Sequence, residues 1–296
     1  MYVATIYEAF NLFTAWKNFS IFAFLLTMCL THTAVHAAER LPQKGIVPLS
    51  GKLLISGSST MAPMMTAAGR RFSTRHPGVQ IEVRTSSTGQ GIDDVTKGNA
   101  DIGMASRALT DKESVLYSFA IARDGVCLIV HKNNPVQNLT NRQVFEIFTG
   151  KVNNWSKVGG NVAPIMPINA KEGFGSVELF TNFFSFRYAD IKAEIVVSAN
   201  PDRVKAIIAN PNGIVYTSVG SAQQEMVAGA PIKLIAINGV AATAKNIRNG
   251  NYPMSRPLLL MTKEIPSGLA KAFISFSLSS QNSDIVLQHD FVPYLD

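Results

Sequence analysis

"KLLISGSSTMAPMMTAAGRRF" (52–72) contains the reading on which the fold turns. Lys52 to Ser56 is an apolar run of strand length. Gly57-Ser58-Ser59-Thr60 breaks it, after which Met61, Met65, Ala68 and Phe72 recur at intervals of four, three and four, one buried face of a helix. "HPG" (76–78) ends that helix, and "VQIEVRT" (79–85) alternates as a strand does. A short helix over 91–97, with Ile92 and Val95 inward, leads to a further strand, "ADIGMAS" (100–106). Strand, helix, strand, helix, strand is the pattern of an α/β protein with a parallel sheet and helices on its faces.

The alternation then repeats. "GVCLIVHKNNPV" (125–136) is a strand running into an Asn/Pro turn, and reads as a first crossing between two lobes. "NRQVFEIFTG" (141–150) is a helix closed by Gly150. "APIMPINA" (163–170), a helix from Ser176 and "GIVYTSVG" (213–220) form a second alternating unit, and "YPMSRPLLLMT" (252–262) returns the chain to a strand. The expected organisation is a first lobe of 38–130 plus 245–296 and a second of 131–244.

Residues 1–37 read as a secretory signal peptide. "NFSIFAFLLTMCL" (18–30) is an apolar run shorter than a membrane span, Lys17 precedes it, and Val35 and Ala37 fit a small-residue cleavage site. Cleavage near Ala37 leaves a periplasmic or secreted protein. It removes Glu8 with Lys17, so the +7 charge survives, and it removes Cys29, so Cys127 stands alone in an apolar run. The remaining histidines, His76, His131 and His289, are too few and scattered for a metal site. No basic run exceeds Arg70-Arg71 and no basic stripe carries aromatics, which argues against a nucleic-acid partner.

Three strand-to-helix junctions share one chemistry: Gly57 to Thr60, "TSSTGQG" (85–91) and "AKEGFGS" (170–176). The first turn of a helix leaves N–H groups unpaired at its positive end, glycine admits a close ligand, and hydroxyls add donors without bulk. Three such ends from two lobes can replace the water around a tetrahedral oxyanion. Each junction taken singly is also ordinary capping and turn chemistry. A fourth feature, "MASRA" (104–108), places Ser106 and Arg107 at the carboxyl end of a strand, where α/β proteins bind ligands. Arg107 there serves either as an oxyanion fork or as a salt bridge to Asp101, Asp111 or Glu113.

With "GSSTMAP" (57–63), "STGQGIDDVTKGNADIGMASRALTDKE" (87–113), "VFEIFTGKVNNWSKVGG" (144–160) and "YPMSRPL" (252–258) in this order, the chain from about residue 52 onward resembles the periplasmic phosphate-binding proteins of ABC-type phosphate transporters. The resemblance implies a two-lobed periplasmic-binding-protein fold (type II, Venus-flytrap), each lobe a mixed sheet flanked by helices. It also implies no catalysis, no cofactor, inorganic phosphate in the cleft, an ABC transporter permease as partner, and action as a monomer. Carried over by position, the ligand-binding residues are Ser58, Ser59, Thr88, Gly89, Ser106, Arg107, Gly173, Gly175 and Ser176, and Trp155 belongs to a packing motif. Two positions depart from the family pattern: Ala170 stands for an arginine and Phe174 for a serine. Loss of a charge-assisted contact costs about 1.5–3 kcal/mol, roughly ten- to hundredfold in affinity. Arg107 and Lys171 are the nearby sources of replacement charge.

Other readings remain beside this one. Phe174 facing an organic group would change the ligand, and a sensor or adhesin would keep the fold without tight phosphate binding. A serine hydrolase using Ser58, Ser59 or Ser176 would need an adjacent base, and no histidine sits in a recognisable motif.

Overall fold

The computed structural model describes residues 48–294; the expected leader and its cleavage near Ala37 lie outside them. The opening units form as the sequence pattern dictates. Strand β1 (Ser50–Ser58) runs into helix α1 (Ala62–Arg75), β2 (Gly78–Ser86) into α2 (Thr88–Lys97), and β3 (Ile102–Ala105) follows. Strand β1 lies between β2 and β3, parallel to both. Met61, Met65, Ala68 and Phe72 are all buried, as their spacing requires. Helix α2 starts three residues before the expected 91, because Ser87 caps it by accepting a hydrogen bond from the Gln90 N–H at 3.1 Å.

Strand β4 (Tyr117–His131) is longer than its apolar run suggested. It is followed by β5 (Asn138–Leu139), α3 (Asn141–Phe148), β6 (Met166–Ala170), α4 (Gly175–Phe183) and β7 (Ile195–Val197). Next come α5 (Asn200–Ala209), β8 (Gly213–Ser218), α6 (Val219–Val227), β9 (Ile232–Ile237) and α7 (Ala244–Arg248). Strand β10 (Ser255–Thr262), α8 (Gly268–Leu278), α9 (Ser283–Gln288) and β11 (Val292–Pro293) complete the described chain.

Strand β4 ties two sheets together. Its first part, Tyr117 to Gly125, pairs antiparallel with β10, which also pairs antiparallel with β3. Its second part pairs antiparallel with β8 over Val126–Val130 and with β9 over Leu128–His131. Both halves are therefore mixed sheets, the second completed by the parallel pairs β6–β8 and β6–β7. Two large apolar cores follow the same division, with a smaller cluster around Val95 and Met261 beside the first. Ile55, Met104, Ala122, Leu258 and Phe273 belong to the first, and Val126, Trp155, Phe180, Tyr216 and Met254 to the second. The cores change over between Ala122 and Val126, between Met254 and Leu258, and once more between Phe291 and Val292, whereas the sequence reading put the lobe boundaries at 130/131 and 244/245. The two groups are called the first and second lobe below.

Trp155 packs in the second core, and its Nε1–H donates to the Asn212 carbonyl at 3.0 Å. Cys127 is fully buried in β4, and burial pushes its thiol well above the usual range, so it is inert packing. Gly57 is a conformational requirement: its φ is +130°, and a Cβ there would lie 2.4 Å from the Met104 carbonyl oxygen. A Cβ on Gly91 would in turn lie 2.7 Å from the Gly57 Cα. This glycine pair lets α2 dock closely on β1 and β3, which brings the α2 start beside the end of β1.

Candidate functional site

The hydroxyl junctions of the first lobe lie side by side. Ser58 ends β1 opposite Ser86 of β2, and the Ser59 N–H donates to the Ser86 carbonyl at 3.0 Å. Two residues further on, Thr88 accepts from the Ser106 N–H at 3.1 Å, and the two hydroxyl oxygens are 3.3 Å apart. Ser58, Thr88 and Ser106 are each no more than 3% exposed. The Ser58 hydroxyl is buried without a hydrogen-bond partner. Leaving such a group unpaired costs about 1–3 kcal/mol, so its burial points to a partner absent from the protein itself.

The second-lobe junction abuts these residues directly. The Gly89 N–H donates across to the Gly173 carbonyl at 2.9 Å, so this expected ligand donor instead joins the lobes. Gly173, with φ of +85°, makes the turn into α4. Gly175 begins that helix against Ser106, where a Cβ would lie 2.8 Å from the Ser106 carbonyl oxygen. Phe174, at the N-cap of α4, provides no capping side chain, nor does Met61 at the N-cap of α1. Both helix starts thus lack the side-chain acceptor that would neutralise their positive ends.

Five polar residues outside the expected ligand set adjoin it: Thr60, which the first junction already contained, and Asp124, Asn200, Arg203 and Arg256, which sequence reasoning did not place there. Arg256 donates to the Ser106 carbonyl at 3.0 Å and hydroxyl at 3.2 Å, and to the Thr60 hydroxyl at 3.2 Å. Thr60 also accepts from the Asn200 side-chain amide, across the lobes, at 3.1 Å. Asn200 begins α5, and one turn later Arg203 donates to the Ser176 hydroxyl at 2.6 Å. Ser176 follows Gly175, which packs on Ser106. The contacts therefore close into a ring, Ser106, Arg256, Thr60, Asn200, Arg203, Ser176 and Gly175, that crosses between the lobes twice.

The two arginines in this ring differ in their counter-charges. Arg256 is paired with Asp124, Nη2 to Oδ2 at 2.8 Å, and neither side chain is more than 1% exposed. Asp124 also accepts from the Ser218 hydroxyl at 2.8 Å and the Gly220 N–H at 3.2 Å, so this ion pair is well satisfied. Arg203 is fully buried and, among the described residues, forms no ion pair. Besides Ser176 it donates to the Ser198 carbonyl at 3.1 and 3.3 Å and to the Tyr216 carbonyl at 3.2 Å. Burial brings it down to about 10, with the nearby Arg256 charge acting in the same direction, and it remains a cation at neutral pH.

The remaining expected residues divide. Ser176 faces Arg203, and Ser59 and Ser58 lie at the end of β1, within the assembled seam. Arg107 follows the alternative reading of its role. It forks onto Glu113 at 2.7 and 2.9 Å and is in ionic contact with Glu178 of α4 through Nε, which is not aligned for a hydrogen bond. With two carboxylates on one guanidinium, Arg107 has no net charge to offer an anion. Lys171 is exposed, and Ala170 is a core residue of the second lobe. Phe174 packs against that core with its ring 5.4 Å from the Arg203 guanidinium carbon.

Arg203 was missed because the helix carrying it was not read. "SANPDRVKAIIA" (198–209) holds the signal: Pro201 in the first turn, Asp202 beside it, and Val204 and Ile207 as an apolar pair three apart. Asn200, Arg203 and Ile207 are all buried on that helix, which places an arginine on an inward face.

A buried polar seam between two mixed-sheet lobes defines a two-lobed ligand-binding protein, and residues 42–281 match the PBP superfamily domain. The phosphate-binding protein PstS of Bacillus subtilis is 29% identical over 258 residues, covering 86% of this chain and 84% of that protein. PstS of Staphylococcus epidermidis is 30% identical over 230 residues, covering 73% and 70%. The crystal structure of a Clostridium perfringens ABC transporter substrate-binding protein with bound phosphate superposes with a TM-score of 0.76 at 33% identity, covering 82% of this chain and 99% of that one. The chain belongs to the PstS family of phosphate-binding proteins within the PBP superfamily.

Proposed function

We propose that this protein captures inorganic phosphate between its two lobes and delivers it to the permease of an ABC transporter, working as a single copy in the periplasm or outside the cell. The observation that carries this reading is the buried, unpartnered Ser58 hydroxyl beside a seam where hydroxyl-bearing helix starts of both lobes meet. A tetrahedral oxyanion offers acceptors in every direction, so it can satisfy Ser58 together with Thr88, Ser106 and Ser176. Each of these hydroxyls both donates and accepts, so the same set suits a protonated phosphate oxygen. The ligand set in this reading is Ser58, Ser59, Thr88, Ser106 and Ser176, with Gly175 permitting the lobes to close. Arg107 and Gly89 serve closure instead.

The relatives named above are substrate-binding transport proteins, which supports a binding role for this chain over a hydrolytic one. Phe174, packed on the second core and over Arg203, gives no support to an organic ligand.

Isothermal titration of protein freed of bound anion, first with phosphate and then with sulfate, tests the reading. Phosphate binding at about micromolar Kd or tighter is expected. Absence of heat with phosphate overturns it.

A further inference from the structure

An arginine buried without a counter-ion is an incomplete structure. Taking a cation out of water costs on the order of several kcal/mol unless a matching charge and hydrogen bonds compensate. Arg203 is fully buried and has only neutral acceptors: one hydroxyl and two carbonyls. Its neighbour across the seam, Arg256, is already neutralised by Asp124. The ring of contacts described above therefore carries one unbalanced positive charge, and Arg203 supplies it.

The surroundings of Arg203 hold that charge in place and leave it unquenched. The Phe174 and Tyr216 rings lie 5.4 and 5.6 Å from its guanidinium carbon, contacts that favour a cation without neutralising it. The Ser198 carbonyl accepts from Nε and Nη2, which fixes one edge of the fork. Nη1 points at the Ser176 hydroxyl, on the second residue of α4, where helix-start N–H groups add to the positive potential. Ala170, on the adjacent strand, is sealed in the core with its N–H bonded to the Asn169 side chain at 2.9 Å, so position 170 contributes no charge.

We propose that Arg203 is the charged phosphate ligand of this protein, an arginine delivered from the first turn of α5 in place of one at position 170, with Phe174 as its support. The inference rests on the oxyanion reading above and names the residue that makes the site bind a doubly charged anion. It also joins the two departures of the 170–176 loop into one arrangement: Ala170 removes a cation, and Phe174 steadies the one that replaces it.

The test compares Arg203→Met with Arg203→Lys, two side chains of similar length that differ in charge. Phosphate titrations of both are run beside the wild type, with circular dichroism to confirm folding. Arg203→Met is expected to weaken phosphate binding by about ten- to hundredfold, and Arg203→Lys to recover most of that loss. Equal affinities in the Met and Lys variants overturn the proposal, because they mean that the charge is not used. Should Arg203→Met not fold, Arg203→Gln takes its place: this neutral variant is expected to bind phosphate at least about tenfold more weakly than Arg203→Lys, and equal affinities overturn the proposal. A wild-type protein indifferent to phosphate overturns the oxyanion reading and this inference together, whereas wild-type binding with indifferent variants overturns this inference only.

Discussion

Arg107, two residues past the end of β3 in the first lobe, is in ionic contact with Glu178, one turn into α4 of the second lobe. Glu113 grips the same guanidinium from the first lobe with two hydrogen bonds. One cation thus holds together two carboxylates that approach each other only when the lobes meet. Arg107 lies between the acidic pair and offsets the repulsion that would otherwise oppose this contact between the lobes.

Arg107→Ala is therefore expected to weaken phosphate binding through closure and not through lost ligand contact. Glu113 and Glu178 would face each other uncompensated, which costs about 1–2 kcal/mol near a surface, a five- to thirtyfold loss in affinity. Adding Glu113→Gln to Arg107→Ala should recover part of that loss, as measured by titration. An Arg107→Ala loss that Glu113→Gln leaves untouched would place Arg107 on the anion.

Glu178 behaves differently from its partner. Burial raises its carboxyl above the ordinary value of 4.5, with Arg107 only partly opposing, so the ionised form is costly in the closed state. A carboxyl whose value is raised in the packed state favours that state below its ordinary value and loses that contribution as pH climbs through the raised one. Glu178→Gln should consequently leave phosphate affinity at neutral pH unchanged or slightly stronger, and flatten its pH dependence above 4.5. A large neutral-pH loss in this variant would show that the ion pair is net favourable.

Glu113 carries the opposite sign. Its hydrogen bonds to Arg107 hold it down at about 2, below its ordinary 4.5. Its contribution to the fold is present above about pH 4.5 and is lost as pH falls toward 2. Acid unfolding followed by circular dichroism should begin at higher pH in Arg107→Ala than in the wild type.

Ser58→Ala separates binding from folding. The wild-type hydroxyl is buried without a partner, so its removal should leave the melting temperature of anion-free protein unchanged or higher. Phosphate affinity should fall by about ten- to hundredfold as one hydrogen bond to a charged acceptor is lost. Calorimetry on both forms reads the two effects, and unchanged affinity would exclude Ser58 from the site.

Gly175→Ala probes the other crossing. The new Cβ would lie 2.8 Å from the Ser106 carbonyl oxygen, closer than nonbonded atoms approach, and the conflict exists only between lobes in contact. Phosphate affinity should drop by more than about tenfold with little change in the stability of anion-free protein.

The alternation around 52–106 determined the α/β class, the buried face of α1 and the hydroxyl-rich strand-to-helix junctions, because these depend on periodicity and turn chemistry within a few residues. Local pattern also located Ser58, Thr88, Ser106 and Ser176 at the ends where ligands bind. It could not decide the roles of the charged residues. Arg107 and Arg203 are both arginines beside polar loops, yet one is neutralised by Glu113 and Glu178 and the other is buried without a counter-ion. That difference arises from residues far apart in the chain: Glu178 is brought to Arg107, and Ser176 and Phe174 to Arg203, only when β6, α4 and α5 pack in the second lobe. A charge's effect depends on what surrounds it within a few ångströms, and for these side chains the tertiary structure chooses the surroundings.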